Sequence, residues 1–277
     1  MAGYARLFKP VAQVTCHKFL KVEYDGSGVA DVKMSRLPVN AVNVEMYIEI
    51  AALFSDPDQI GEGLQVIVLS ADGNNFCAGN DLDEFMTMTP ANADERMRVA
   101  RAAFFAIEDC VVPVIGAIHG VALGSGLAIA ASCDFIVAAR DAMFGLPELT
   151  VGVLGGASHL ARLAPQSLVR RMFFTGESIR ADQLAKDTGA LLICDRSELL
   201  STAHTVAERV ASFSPIAIRF GKKVLNQIEN MDTKTGYELE QRFTAQLSGH
   251  PDSKEAVNAF REKRRAKYLS LGEYSNK

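Results

Sequence analysis

Two glycine-rich segments, each directly after an apolar run, constrain the fold of this chain more than any other feature. LQVIVLS (64–70) precedes ADGNNFCAGNDL (71–82), and PVIGAI (113–118) precedes a segment that begins HGVALGSG at residue 119. Short apolar runs bounded by turn residues predict strands that are buried on both faces. A turn from such a strand into a helix leaves backbone N–H groups unpaired and adds a positive partial charge. Both turns are therefore candidate sites for an anion or a developing oxyanion.

Neither turn has the pattern of a nucleotide-binding loop. No Lys-Ser or Lys-Thr pair follows the glycines, and the second turn contains only GxG, which is a weak signal. One glycine-rich turn alone is most often a consequence of tight packing. Two turns about 45 residues apart, followed by Pro147-Glu148, form a more specific pattern.

The rest of the chain predicts alternating strands and helices followed by a helical region. KFLKVEY (18–24) and GVADVKM (28–34) alternate around a turn and predict a β-hairpin. We predict an α/β core over residues 1–196 and a helical C-terminal region over 197–277. The remaining elements are predicted as strands at 134–139 and 190–195 and helices at 43–54, 94–108, 180–189, 197–212, 214–229, 233–247 and 252–267. The segment GVALGSGLAIAASCD (120–134) begins glycine-rich and is predicted to become an apolar helix.

Composition excludes several classes of function. The 277 residues carry a formal net charge of -4, which disfavours general nucleic-acid binding. The five cysteines show no CxxC spacing, so we expect reduced thiols and no metal site. No apolar run reaches the roughly 18 residues that a membrane span needs. The N-terminal MAGYARLFKP lacks the apolar stretch of a signal peptide, and we expect a cytoplasmic protein.

The segments FCAGNDLDEF and HGVALGSGLAIAASCDFIVAARDAMFGLPELTVGVLGG resemble the enoyl-CoA hydratase/isomerase (crotonase) family. The likeness extends from the hairpin to the closing AFREKRRAKY. It implies a crotonase-like β-β-α spiral, with the helical C-terminal region packing subunits into homotrimers or into hexamers built from two trimers. It also implies an acyl-CoA thioester as the partner, so coenzyme A is part of the substrate and no separate cofactor is expected.

The resemblance assigns three residues to catalysis. The backbone N–H groups of Asn80 and Ser125 would hold the thioester carbonyl and stabilise the enolate that forms there. Glu148 would be the acid and base, and its apolar neighbours would tune its pKa. His159 is expected to be structural.

One departure from the family pattern bears on the reaction. Hydratases of this family carry a further glutamate three residues after the second oxyanion donor, and this chain has Ala128 there. A single carboxylate suffices to move a proton between C2 and C4 of a 3-enoyl thioester. The pattern thus resembles that of Δ3,Δ2-enoyl-CoA isomerases, and the segment LPVNAV (37–42) resembles their PVN loop. Hydration of a 2-enoyl-CoA is the alternative, with Glu148 doing both jobs or with help from a second group: Asp81, Asp83, Glu84 or His119.

Contacts with coenzyme A also follow from the resemblance. The backbone around Val39, Asn40, Ala78, Asp81 and Leu82 would line the pantetheine and adenine channel. Phe260 and Lys263 match positions from which the C-terminal helix reaches an adenine or phosphate, often in a neighbouring subunit.

Acyl specificity is expected to depend on the loop after residue 83, the helix at 94–108 and the C-terminal helices. Four side chains in these segments are candidates for an apolar acyl pocket: Phe85, Met86, Met88 and Met97. Other chemistry of the family, such as thioester hydrolysis, retro-aldol cleavage or decarboxylation, remains a further alternative. So does RNA binding through the basic cluster 263–267, against which the net charge argues.

Overall fold

The computed structural model describes residues 17–269, so Cys16 and the N-terminal segment considered above lie outside the described residues. The strands of the described part are β1 (Leu20–Tyr24), β2 (Val29–Met34), β3 (Val66–Ala71), β4 (Val114–Ile118), β5 (Val121–Leu123), β6 (Phe135–Ala139), β7 (Met143–Gly145), β8 (Ser178–Arg180) and β9 (Leu191–Cys194). Its α-helices are α1 (Val44–Ser55), α2 (Leu82–Phe85), α3 (Ala93–Glu108), α4 (Ser125–Ser132), α5 (Ala157–Leu160), α6 (Gln166–Thr175), α7 (Ala181–Thr188), α8 (Leu199–Ala211), α9 (Pro215–Ile228), α10 (Thr233–Ser248) and α11 (Pro251–Arg261).

The main sheet has six strands in the order β1-β2-β3-β4-β6-β9. β1 pairs antiparallel with β2, and every other neighbouring pair is parallel. Helices cover both faces of the parallel part, and its central strands are accordingly apolar except for Ser70. Val66 and Val68 pack with Ala203 and Ala207 of α8 on one face. Ile67 and its neighbours on the opposite face belong to the core that includes α1, α3 and α4.

A second, smaller sheet has the order β5-β7-β8 and carries the candidate site. β5 is parallel to β7, and β7 is antiparallel to β8. Each of these strands has only three residues. Sequence analysis did not predict them, since three residues are too few to establish a period of two.

The predicted architecture is otherwise confirmed. The hairpin, the buried strands and the C-terminal helices lie where the sequence placed them, and Asn43 caps α1 by accepting a hydrogen bond from the Met46 N–H. The last helix was predicted too long, because α11 ends at Arg261 and Lys263 adopts a positive φ of 52°. The first C-terminal helix, α8, packs on the main sheet and completes the core.

The close approach of α4 to the first glycine-rich segment joins the two halves of the site. A Cβ atom at Gly126 would lie 2.2 Å from the carbonyl oxygen of Cys77 and 2.8 Å from its Cβ. The Cys77 backbone is hydrogen-bonded to Val121 and Leu123, so neither its carbonyl oxygen nor the attached Cβ can easily move away. Glycine is therefore required at residue 126 by contact, whatever its backbone angles.

Substituting Gly126→Ala should lower the free energy of unfolding by about 1–3 kcal/mol, the usual cost of overpacking a filled core. Gly221→Ala is the matched control, because this helical glycine has no atom within 4 Å of an added Cβ. The control should leave stability unchanged or raise it by up to about 1 kcal/mol through helix propensity. Denaturant unfolding of both variants measures the difference, and equal stabilities would contradict the proposed contact.

Candidate active site

The first glycine-rich segment is held between two other stretches of backbone. On one side the Cys77 N–H donates to the Val121 carbonyl at 2.9 Å, and the Leu123 N–H donates back to Cys77 at 3.0 Å. On the other side the Val42 N–H donates to Gly79 at 2.8 Å, and the Asp81 N–H donates to Val42 at 2.9 Å. These bonds make residues 76–81 a short ladder that cannot shift independently of its neighbours.

The second turn connects β5 to α4 and presents Ser125 at the first position of that helix. Gly124, the preceding residue, has a positive φ of 53°, and its N–H donates to the Gly145 carbonyl at 3.0 Å. Because a side chain is rarely compatible with this backbone conformation, glycine allows the sharp entry into α4. The N–H groups of the first helical turn, including that of Ser125, have no intrahelical acceptor.

Within residues 17–269, neither the Asn80 N–H nor the Ser125 N–H has a hydrogen-bond acceptor. Both residues are half-buried, and both line the same two adjoining cavities. Unpaired amides at such positions can donate to a ligand oxygen without first breaking another bond. The pair is therefore chemically suited to bind a carbonyl oxygen or an oxyanion.

Glu148 is buried beside these amides, with 8% of its surface exposed. A Cβ atom on Gly124 would lie 3.1 Å from Glu148 Oε1, and one on Gly156 would lie 3.3 Å from the same oxygen. The other carboxylate oxygen, Oε2, is buried and has no hydrogen-bond partner in the described part of the chain. Burial raises the pKa of Glu148, because the charged form loses hydration. Such a carboxylate is well suited to accept a proton.

Tyr47 supports the first turn from α1. Its hydroxyl donates to Asn80 Oδ1 at 2.7 Å, and its ring packs edge-on against Phe104, with centroids 5.7 Å apart. Burial raises the pKa of Tyr47 far above its usual range, while the Ser125 side chain acts as a weaker, opposite influence. The phenol therefore stays protonated and remains a donor. His159 packs edge-on against Phe104 at 5.0 Å, as expected of a structural residue.

Two cavities meet at Asn80, Ser125 and Glu148. One, of about 340 Å³, extends along α3 and is lined mainly by apolar side chains. The other, of about 350 Å³, extends toward residues 39–41 and 78–83. The arrangement suits an elongated ligand whose reactive carbonyl lies at the junction, with one arm in each cavity.

The structure brings most of the predicted binding residues together. Val39, Ala78, Asp81 and Leu82 line the second cavity. Asp81 also caps α2 and pairs with Arg36, and its pKa is lowered first by the Glu84 N–H and then by Arg36.

Asn40 departs from its predicted role as a channel residue. It is fully buried, and its side-chain amide donates to the carbonyls of Asp72 and Asn75, both at 2.8 Å. Its Oδ1 accepts a hydrogen bond from the Arg36 N–H. The Asn40 side chain thus stabilises the loop that borders the second cavity. It is too buried to contact a ligand.

The C-terminal candidates lie apart from the cavities. Phe260 is 86% exposed on α11, and Lys263 follows that helix. Whether they reach a ligand in a neighbouring subunit stays a prediction. Within the neighbouring basic cluster, Arg264 pairs with Glu255 and Glu262. Neither cavity is lined by a residue of the described C-terminal helices, contrary to the expectation for acyl specificity.

Among the groups considered as helpers for hydration, Glu84 lines the first cavity, Asp83 the second and Asp81 both. His119 lies elsewhere: its Nε2 is 3.1 Å from the Gly73 carbonyl, and it lines a different cavity. Ala128 lines the first cavity, so no carboxylate occupies the place of the missing glutamate.

Three of the four candidates for an apolar acyl pocket do line the first cavity: Phe85, Met88 and Met97. The fourth, Met86, is 83% exposed. Three cavity residues are not identified by the sequence pattern: Tyr47, Arg96 and Phe104. All three lie on predicted helices, but only the packing of α1 against α3 directs them into one cavity.

The sequence matches the family model described as "Enoyl-CoA hydratase/isomerase" over residues 25–270. The chain belongs to the enoyl-CoA hydratase/isomerase family. The crotonase fold predicted from the sequence is confirmed by a crystal structure of enoyl-CoA hydratase from Bacillus anthracis, which superposes with a TM-score of 0.84 at 29% identity, covering 91% of this chain and 99% of that one.

Two relatives differ in their named activities. The chain is 36% identical to (7aS)-7a-methyl-1,5-dioxo-2,3,5,6,7,7a-hexahydro-1H-indene-carboxyl-CoA hydrolase from Rhodococcus jostii, over 81% of this chain and 87% of the relative. It is 33% identical to probable enoyl-CoA hydratase 2, mitochondrial, from Arabidopsis thaliana, over 91% of this chain and 85% of the relative. Membership of this family of CoA-thioester enzymes is thus established, and the reaction has to be argued from the site.

Substituting Tyr47→Phe should lower kcat on an unsaturated acyl-CoA roughly tenfold, with little change in KM, because Asn80 loses the bond that fixes its loop. The loss of stability should be about 1 kcal/mol. Tyr24→Phe is the matched control, since the Tyr24 hydroxyl donates to the Glu62 carbonyl at 2.7 Å and lines neither cavity. It should show a similar loss of stability and unchanged kcat. Equal kinetics of the two variants would contradict a positioning role for Tyr47.

Proposed function

We propose that this enzyme shifts the double bond of an enoyl-CoA from Δ3 to Δ2, with Glu148 as the only acid and base. The observation that carries the proposal is the single buried carboxylate at the cavity junction, in a cavity where Ala128 takes the place of a second one. A double-bond shift needs one group that takes a proton and returns it. Hydration needs both activation of water and delivery of a proton, which two carboxylates perform more readily.

In the first step, the thioester carbonyl accepts hydrogen bonds from the Asn80 and Ser125 N–H groups. Glu148 removes a proton from C2, the C2–H bond breaks, and its electron pair delocalises over the thioester and the C3–C4 double bond as a dienolate. The two amides stabilise the charge that develops on oxygen, and each such donor typically contributes about 3–4 kcal/mol to lowering the barrier. The N-terminus of α4 adds a favourable partial charge.

In the second step, the protonated Glu148 returns the proton to C4. The dienolate collapses, a double bond forms between C2 and C3, and the carbonyl is restored. Atoms and electrons balance without any further reactant. The raised pKa of Glu148 favours the first step, because a stronger base removes the C2 proton more readily.

A water-adding reaction is the second candidate, and the names of the two relatives favour it. In hydration of a 2-enoyl-CoA, Glu148 would activate water and then deliver the proton itself. Hydrolysis of an oxo-carboxyl-CoA, as in the name of the R. jostii relative, would likewise use one base to activate water. Both alternatives use the same amide pair as the double-bond shift. Assays with different substrates are therefore needed to distinguish the reactions.

Incubation with 3-hexenoyl-CoA and, separately, with 2-hexenoyl-CoA decides between the candidates. The proposal expects the first to yield the conjugated thioester and the second to hydrate slowly. Glu148→Gln should lower turnover at least about a hundredfold while binding of hexanoyl-CoA persists. Glu177→Gln, an exposed carboxylate paired with Arg171, is the control and should retain full turnover. Rapid hydration of 2-hexenoyl-CoA without any double-bond shift in 3-hexenoyl-CoA would contradict the lead proposal.

The pH dependence of kcat/KM reports the state of Glu148 in the free enzyme. Because burial raises its pKa, the active carboxylate is lost on acidification at a pH above the ordinary glutamate value of 4.5. The rate should therefore fall on the acid side with a midpoint above 4.5, and rise to a plateau as pH increases. A titration of initial rates in buffers of constant ionic strength measures the midpoint. An acid limb at or below the ordinary value would show that a different group sets the rate.

The second cavity is the proposed channel for the pantetheine arm of coenzyme A, since its walls include Val39, Ala41 and residues 78–83. Homotrimers, or hexamers formed from two trimers, are the proposed assembly. Large apolar side chains exposed on the C-terminal helices support it: Leu225, Tyr237, Val257 and Phe260.

A further inference from the structure

Arg96 places a guanidinium group in the wall of the first cavity, and this group has no role in the proposed double-bond shift. Arg96 lies on α3, among residues that are otherwise largely apolar, including Met97 and Phe104. Its Nη1 donates to the Glu84 carbonyl at 2.6 Å, and its Nη2 donates to Thr87 Oγ1 at 2.7 Å. Both acceptors are neutral. Across residues 17–269, no carboxylate forms an ion pair with Arg96.

Apart from Glu148 at the cavity junction, the acidic side chains of the same wall already have partners. Asp81 pairs with Arg36, which lines neither cavity. Glu84 accepts a hydrogen bond from the Val44 N–H at 2.8 Å, at the N-terminus of α1, where a negative charge is favourable. Arg96 is the only cationic side chain of the described residues that lines either cavity, and its two protein acceptors are neutral. Arg96 is half-buried and keeps free N–H donors, so a bound anion would supply the opposite charge that the protein does not.

The position of Arg96 along α3 relates it to the reacting carbonyl. Arg96, Ala100 and Phe104 follow one another at four-residue spacing and line the same cavity. Phe104 contacts Tyr47, which hydrogen-bonds to Asn80, so this end of the row is next to the amide pair. Arg96 lies two turns away, or about 12 Å along the helix axis. An acyl group whose carbonyl is bound at the amides and whose chain lies along α3 would thus extend toward Arg96.

We propose that the acyl group of the substrate ends in a second carboxylate, which binds to Arg96. The substrate class is then an unsaturated dicarboxylic acid joined to coenzyme A through one end. A guanidinium has five N–H donors, and the two bonds to protein leave three for a carboxylate. Charge-assisted bonds of this kind give both affinity and orientation. The inference rests on the proposed function in taking this cavity as the acyl side.

The alternative is that Arg96 only fixes α2 and the loop after it, since its protein bonds go to Glu84 of α2 and to Thr87 of that loop. The two roles differ in what substitution does. Loss of a loop anchor weakens every acyl-CoA alike, whereas loss of a carboxylate partner weakens only ligands that carry the second carboxylate. Saturated thioesters separate these roles by binding alone, independently of which reaction the enzyme performs.

Calorimetric titration with adipoyl-CoA and hexanoyl-CoA tests the proposal, because these ligands match in chain length and differ in the terminal group. The wild-type protein should bind adipoyl-CoA more tightly. Arg96→Gln should weaken adipoyl-CoA about ten- to a hundredfold and leave hexanoyl-CoA nearly unchanged. Arg96→Lys should retain part of the preference, since it keeps the charge and loses the planar fork. Suberoyl-CoA and octanoyl-CoA extend the comparison to longer chains.

Two variants serve as controls. Arg101→Gln removes a positive charge from the exposed face of the same helix and should preserve the preference. Thr87→Val removes one acceptor that fixes Arg96 to the loop and should preserve most of it. The proposal is overturned if wild type shows no preference at either chain length, or if Arg96→Gln weakens both ligands of a pair equally. Failure of the double-bond shift with the preference intact would overturn the proposed reaction and leave this inference standing.

Discussion

The site depends on one contact between backbones, the close approach of α4 to the segment 76–81. Because residue 126 has no side chain, the N-terminus of α4 reaches the Cys77 carbonyl directly. The same segment forms ladder bonds to β5 on one side and to residues 39–42 on the other. The amides of Asn80 and Ser125 come from chain segments 45 residues apart, yet this contact fixes their relative position before any ligand arrives. Preorganised donors of this kind need no rearrangement as charge develops.

Two features of its surroundings have opposite effects on the charged form of Glu148. Burial destabilises its charged form, while the N-terminus of α4 and the free amides favour negative charge nearby. Its niche is lined by Gly124 and Gly156, which let the carboxylate approach the amides closely without offering it a hydrogen bond from a side chain. The result is a base that is held in place by packing and is not neutralised by a partner. Ala128 lines the same cavity, so in the proposed reaction proton transfer relies on Glu148.

Charged side chains are distributed unevenly along the two cavities, because Arg96 lines only the first one. The acids near the first turn are satisfied by Arg36 and by the N-terminus of α1. Arg96, further along α3, has only neutral acceptors. A substrate that brings its own negative charge to the far end would complete the wall, which connects the shape of the cavity to the chemical class of the acyl group.

Local pattern determined much of this protein. The apolar runs, the helical periodicities and the two glycine-rich turns predicted the main sheet, the C-terminal helices and the family, because these signals lie within short stretches of chain. The identities of Asn80, Ser125 and Glu148 as site residues came from motif spacing together with the family resemblance. Tertiary structure alone decided the rest. Three-residue strands form only where partners distant in sequence align them, so the second sheet was not predicted. Asn40 proved to be a buried loop anchor, while Tyr47 and Arg96 became part of one cavity, because side-chain environments depend on how α1 packs against α3, and no local period encodes that packing.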